Sequence, residues 1–190
     1  MREIKLKSLH LVNFKGVRNL EVNFSDRVTV ISGDNGTGKT TIFDAFTWLF
    51  FGKDSTGRSD SNFNIKTIDP DTKKPILRLE HYVAGVISVD GKEMKFQRNY
   101  VEKWVKPRGT TEETLKNHET EFYLNDVKLA TKKEYESEVD AILTEDLFRM
   151  VTNPFYFTSL KADVQKELLL DMAGGVSDDE VAAIKPEYIE

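Results

Sequence analysis

The chain has no cysteine, so it carries neither a disulfide framework nor a cysteine metal site, and it fits a reducing compartment; the cytoplasm is expected. It has no excess of positive charge. Lys and Arg number 27 against 32 Asp and Glu, a net of −5, so no global basic field advertises nucleic acid, although a local patch stays open. It lacks a secretory h-region, because Met1 to His10 alternates charged and apolar residues. No apolar run approaches membrane-spanning length, so no membrane partner is expected. The 190 residues hold no internal repeat or low-complexity tract and suit one domain or little more. The sequon at Asn35-Gly36-Thr37 means nothing without secretion.

What is present is a phosphate-binding loop pattern, Gly33-Asp34-Asn35-Gly36-Thr37-Gly38-Lys39-Thr40. Glycines at 33, 36 and 38 allow a tight backbone turn that brings N–H groups up to a polyphosphate. Lys39 can reach the β- and γ-phosphates as a compact charge. The Thr40 hydroxyl can ligate Mg²⁺, which prefers hard oxygen ligands. Arg27 to Ser32 reads as a short buried strand running into the loop, and Thr41 to Phe51 as a helix leaving it. That context argues against the bland alternative, a glycine-rich surface turn. The helix is apolar around nearly its whole circumference, so it is expected between sheet layers. Its one carboxylate, Asp44, is expected to be hydrogen-bonded near the loop, since a buried charge needs a partner. Gly52 ends the helix.

Before the loop, residues 2 to 14 alternate as a strand. Ile4, Leu6, Ser8, His10, Val12 and Phe14 share one side, with Leu9 and Leu11 on the other. Lys15-Gly16 breaks it, and Val17 to Phe24 forms a second strand. After the helix, residues 53 to 75 read as a long polar loop, either solvated or contacting nucleotide or DNA through Arg58, Lys66, Lys73 and Lys74. Ile76 to Val89 and Lys92 to Val105 are strands joined at Asp90-Gly91. Met94, Phe96, Arg98, Tyr100 and Trp104 share one face, whose aromatics either form the core side of a sheet, the favoured reading, or stack on bases. Lys106 to Thr120 reads as a loop, followed by a short hairpin around Asn125-Asp126. Thr131 and Glu134 make a capping box for a helix burying Tyr135, Val139 and Ile142. Thr144 caps a short second helix, which Asn153-Pro154 breaks. A third helix runs from about Leu160 to Ala173 with Gly174 as its cap, and Ser177 with Glu180 makes another capping box.

ATP hydrolysis also needs an acidic residue on a strand and a group that positions the attacking water. Leu168-Leu169-Leu170-Asp171 imitates the first, but its apolar spacing is helical. Asp178-Asp179-Glu180 follows no apolar strand. Asp54-Ser55-Thr56-Gly57 imitates a GTPase motif without a preceding strand, and no Asn-Lys-x-Asp guanine-reading motif occurs. The chain is therefore expected to bind nucleotide without holding a complete hydrolytic site.

Leu9-x-Leu11-Val12-Asn13-Phe14-Lys15-Gly16, the loop, and Thr41-Ile42-Phe43-Asp44-Ala45 together resemble the N-terminal ATPase lobe of the SMC-like proteins, and most of all the SbcC-type subunit of the double-strand-break repair exonuclease. The resemblance covers roughly the first fifty residues closely and the stretch to 175 more loosely. It implies an α/β, mixed-sheet P-loop NTPase fold: an ABC-type head lobe with antiparallel hairpins and C-terminal helices. The lobe is expected over 1–175, with strands, loop and buried helix in 1–52, hairpins in 76–129 and helices in 131–175. Residues 176–190 would begin a further helical segment.

In that family the Walker B acids and the ABC signature come from a C-terminal lobe beyond a coiled coil. The chain thus reads as the N-terminal piece of a longer protein, inactive alone. The resemblance further implies ATP and Mg²⁺ as cofactors and a homodimer of heads sandwiching ATP, with DNA and a nuclease subunit as partners. It assigns nucleotide contact to Gly33, Asn35, Gly36, Thr37, Gly38, Lys39, Thr40 and Thr41, metal contact to Thr40, and phosphate approach to Lys15. The family's Q-loop glutamine has no counterpart here. Asn153 is the nearest substitute, and Gln165 falls inside the third helix. Two rival readings remain: a nucleotide-binding regulatory module without turnover, and a stand-alone P-loop kinase or GTPase. Missing guanine-reading residues and the all-round apolar helix argue against the latter.

Overall fold

The computed structural model describes residues 3–59, 64–110, 112–152, 155–172 and 174. Asn153, the Ser177–Glu180 capping box, Asp178-Asp179-Glu180 and the segment 176–190 lie outside the described residues. The expected 1–175 lobe contains two compact units, which divide between Ile142 and Leu143.

The first unit is a six-stranded sheet with two helices. Its strands are β1 (Ile4–Phe14), β2 (Val17–Asn23), β3 (His81–Val89), β4 (Lys92–Val105), β5 (Thr114–Leu124) and β6 (Val127–Lys128); α1 (Lys39–Phe51) lies between β2 and β3 in sequence, and α2 (Lys132–Asp140) follows β6. The strand order is β2-β1-β3-β4-β5-β6. Every pairing is antiparallel. Three hairpins turn through two residues, Lys15-Gly16, Asp90-Gly91 and Asn125-Asp126. All six residues have positive φ, from 49° at Lys15 and Asn125 to 90° at Gly16. Two left-handed residues match the right-handed twist of the strands they join, so these dipeptides set the register.

The register stacks Leu9, Gly85, Phe96 and Leu124 across four strands, and beside them Leu11, Val83, Arg98 and Phe122. α1 lies on this face. A Cβ at Gly85 would stand 2.8 Å from Leu49 Cδ2, so the missing side chain lets the helix approach the sheet. Phe14 packs on Trp48, Phe50 on Phe96, and Tyr135 of α2 on both Phe96 and Phe122. The Tyr135 hydroxyl donates to Leu49 O at 2.9 Å and ties α2 to the end of α1. Thr131 caps α2, its Oγ1 accepting from Glu134 N–H at 3.1 Å, while the Glu134 carboxylate reaches back past the cap to accept from Ala130 N–H.

Five expectations change. Arg27 to Ser32 is not a strand; it is irregular and exposed, with Val28 76% and Val30 81% accessible. A strand needs a neighbour to satisfy its backbone, and among the described residues none pairs with this segment. α1 accordingly meets a single sheet, and its Phe43 is exposed. Phe14 joins Leu9 and Leu11 in the core rather than His10 and Val12, because Asn13 at φ 50° interrupts the alternation. β3 begins at His81, not Ile76, after Arg78 at φ 59°. β5 begins at Thr114, inside the expected loop, because β4 supplies a partner along its full length, down to Val105 opposite Thr114.

The second unit contains α3 (Glu145–Thr152), α4 (Tyr156–Ser159) and α5 (Ala162–Met172). Thr144 Oγ1 accepts from Leu147 N–H at 3.4 Å, as its capping role requires. The expected third helix is thus preceded by a separate turn. The Gln165 amide donates to Phe157 O at 2.9 Å and to Leu160 O at 3.0 Å, joining the two pieces.

Candidate nucleotide-binding site

The loop adopts the conformation its glycines permit. Gly33, Gly36 and Gly38 have φ of 153°, 81° and 92°, all on the side where a Cβ is strained. Gly38 is the N-cap of α1, and no side chain caps the helix there. The first turn of α1 contains no acidic residue. The helix therefore presents its N–H groups and the positive end of its dipole with no competing anion of its own. Thr37 closes the arch: its hydroxyl donates to Asp34 O at 2.8 Å. Lys39 Nζ donates to Gly33 O at 2.7 Å and to Asp34 O at 2.6 Å, so the ammonium already sits inside the loop. Asn35, Gly36, Thr37 and Thr40 are exposed, and Thr41 is half-buried behind them.

Thr40 offers a hard oxygen at the loop's exit. Among the described residues no cluster of three or more His, Asp or Glu side chains could hold a metal ion.

A model of the AAA domain family matches residues 8–173. The chain belongs to that family. It is 35% identical over 95 residues to the DNA double-strand break repair Rad50 ATPase of Methanocaldococcus jannaschii, a match that covers 50% of this chain and 8% of that protein. It is 39% identical over 77 residues to a subunit of the SbcCD nuclease of Staphylococcus aureus, covering 37% of this chain and 8% of that one. A solved structure of the recombination mediator protein RecF with ATP aligns with a TM-score of 0.49 at 23% identity, over 71% of this chain and 31% of that one. The matches thus span a small part of each curated relative. The family match and the two sequence relatives bear out the resemblance to the N-terminal ATPase lobe of the SMC-like proteins.

Around the loop of this AAA domain, the remaining candidates separate. The Lys15 ammonium contacts Asp44 Oδ2 at 2.5 Å. Asp44 Oδ1 accepts from Ser55 N–H at 2.9 Å and from Ser55 Oγ at 2.5 Å. The expected partner for the buried carboxylate is therefore present, with a second one in Ser55 that sequence reasoning missed. No local pattern joins residues 15, 44 and 55; only the fold does.

Asp54 is structural. Burial alone would raise its pKa, but hydrogen bonds from Thr56 and Arg58 outweigh that and hold it down to about 2. It closes its own turn, with Oδ1 accepting from Thr56 and Arg58 N–H and Oδ2 from the Arg58 guanidinium. Leu168 to Asp171 lies in α5, so the apparent acidic strand is helical. Lys66, a candidate loop contact, instead forms a buried ion pair with Glu102.

Proposed function

We propose that this AAA domain is the ATP-binding lobe of an SMC-like ATPase that acts in DNA double-strand-break repair or recombination. The observation that carries this reading is the loop: three left-handed glycines, a lysine seated inside the arch and an uncapped helix N-terminus behind it. A triphosphate would replace the carbonyl contacts of Lys39 with charge-assisted ones and take up the loop N–H groups. Thr40 would share Mg²⁺ with the phosphates. Two relatives whose names speak of break repair and nuclease function support the DNA context.

The finer reading concerns a second lobe. In this reading it supplies the Walker B acid and signature, covers the exposed Val28, Val30 and Phe43, and lets ATP join two heads. ATP-driven head dimerisation would then control engagement of DNA and of a nuclease subunit. The setting is cytoplasmic; among the described residues no helix is long and apolar enough to cross a membrane.

Equilibrium binding and turnover of Mg²⁺-ATP, wild type against Lys39→Ala, tests the proposal. The expected result is binding that weakens at least about tenfold in the variant, with negligible turnover in either protein. Lys39-dependent turnover by this chain alone would overturn the incomplete-site reading. ATP binding that persists when the chain is joined to a second lobe, without turnover, would favour a regulatory module.

A further inference from the structure

Asp44 lies in the second turn of the helix that follows the phosphate loop. It is 4% exposed, a buried carboxyl group on the helix whose N-terminus the phosphate loop forms. It stands six positions after Gly38, which places it about 9 Å along the helix axis from the N-terminus. The fold compensates with three donors, all from outside the helix: the Lys15 ammonium, the Ser55 hydroxyl and the Ser55 N–H.

Lys15 reaches Asp44 from the β1–β2 turn. That turn abuts the phosphate loop, because Val17 Cγ2 lies 3.7 Å from where a Cβ at Gly38 would be. The Lys15 backbone is pinned, with φ 49° and its N–H donating to Ile65 O at 2.8 Å. Its side chain keeps 25% exposure, so the ammonium can move while the backbone stays.

Electrostatics decides where the ammonium rests. The N-terminus of α1 carries roughly half a positive charge, which repels a cation and leaves the Asp44 carboxylate as the better site. A bound triphosphate reverses the sign of the potential at that end. A triphosphate would thus be a second anion near the β1–β2 turn, in competition with Asp44.

We propose that Asp44, assisted by Ser55, is a positioning residue that holds Lys15 in reserve beside the phosphate loop. The nucleotide phosphates and the Asp44 carboxylate compete for one ammonium. This rests on the reading of the loop as an ATP site and goes beyond it. Nucleotide arrival loosens the tie between the β1–β2 turn and α1, and so reports loop occupancy to the turn at residues 53–59 that carries Ser55.

The test is a double-mutant cycle read by equilibrium binding of a fluorescent ATP analogue with Mg²⁺. Asp44→Asn keeps the side-chain shape and releases Lys15; binding should tighten about fivefold. Lys15→Ala should weaken binding by a few fold, and the double variant should match Lys15→Ala, with the gain gone. Ser55→Ala, which removes one hydrogen bond and leaves the ion pair, should give a smaller gain that also requires Lys15. It decides the matter if Asp44→Asn fails to fold by circular dichroism. A gain that survives in the Lys15→Ala background would show simple removal of negative charge and overturn the proposal. So would weaker binding by Asp44→Asn, or no change on Ser55→Ala. Wild-type binding that is indifferent to Lys39→Ala would instead sink the phosphate-loop reading itself.

Discussion

The two ends of α1 follow opposite rules. At the C-terminal end, Gly52 at φ 69° closes the helix with its N–H on Trp48 O at 2.9 Å, and the last turns vanish into aromatic rings. The Arg98 guanidinium lies 5.4 Å from the Trp48 ring, 5.0 Å from Phe122 and 5.3 Å from Tyr135. At the N-terminal end there is no side-chain cap, the preceding segment is exposed, and the only ammonium in the loop rests on backbone carbonyls. One end is finished by packing; the other presents unsatisfied polar groups to an anion. The difference teaches that stability and binding capacity are stored at opposite poles of one helix. A binding site for phosphate has to remain incomplete until its ligand arrives.

The largest break in this comparison comes from the closed pole. Trp48→Ala should destabilise the chain by about 4 kcal/mol in chemical denaturation, since it empties a fully buried ring site. A loss under about 1 kcal/mol would mean that the ring packing does not support the fold. Gly52→Ala should cost about 3 kcal/mol, because its Cβ would stand 2.6 Å from Arg98 Nη1 in a left-handed conformation. Gly36→Ala at the open pole meets no atom within 4 Å and carries only the backbone strain, so the difference between the two glycines isolates the clash.

A smaller effect involves pH. His81 is buried, and burial lowers its pKa below 6.5, although the hydrogen bond to Asn13 O opposes this. Lys66 nearby also lowers it, while Glu102 raises it. His118 is shifted the same way, again mainly by burial. The unfolded chain therefore takes up these protons before the folded one. Their stability contribution is complete above about pH 6.5 and is lost as pH falls towards the lowered folded values. Denaturation midpoints should fall from pH 7 to 5, and His81→Gln should flatten the slope. Asp54 does not confuse the window, since its contribution disappears only as pH falls from 3.8 towards about 2. An unchanged slope in the variant would remove His81 from the account.

The smallest effect belongs to the exposed segment. Val30→Asp should change the stability of this chain by no more than about 0.5 kcal/mol, because the side chain is 81% exposed. The same substitution in a protein joined to a second lobe should weaken lobe association, measured by pull-down. A large loss of stability in the chain alone would show that residues 27–32 belong to its core.

Much of the architecture was readable from local rules. Asp90-Gly91 and Asn125-Asp126 announced hairpins, because few dipeptides tolerate two left-handed residues. The phosphate loop was readable because the chemistry needs its residues consecutively. Other features were not. The polar run 114–120 became a strand only because β4 offers its edge, and Arg27 to Ser32 failed to become one for want of a neighbour. Phe14 changed faces through one dihedral angle at Asn13.

The sequence by itself determined the loop, the turns, the caps and the apolar helix, since each depends on residues a few positions apart and on intrinsic backbone preference. Tertiary structure alone decided that Arg98 is stacked among aromatic rings, that Lys66 pairs with Glu102, and that Lys15 meets Asp44 and Ser55. Those contacts join residues far apart in the chain, and burial then fixes which charges must find each other.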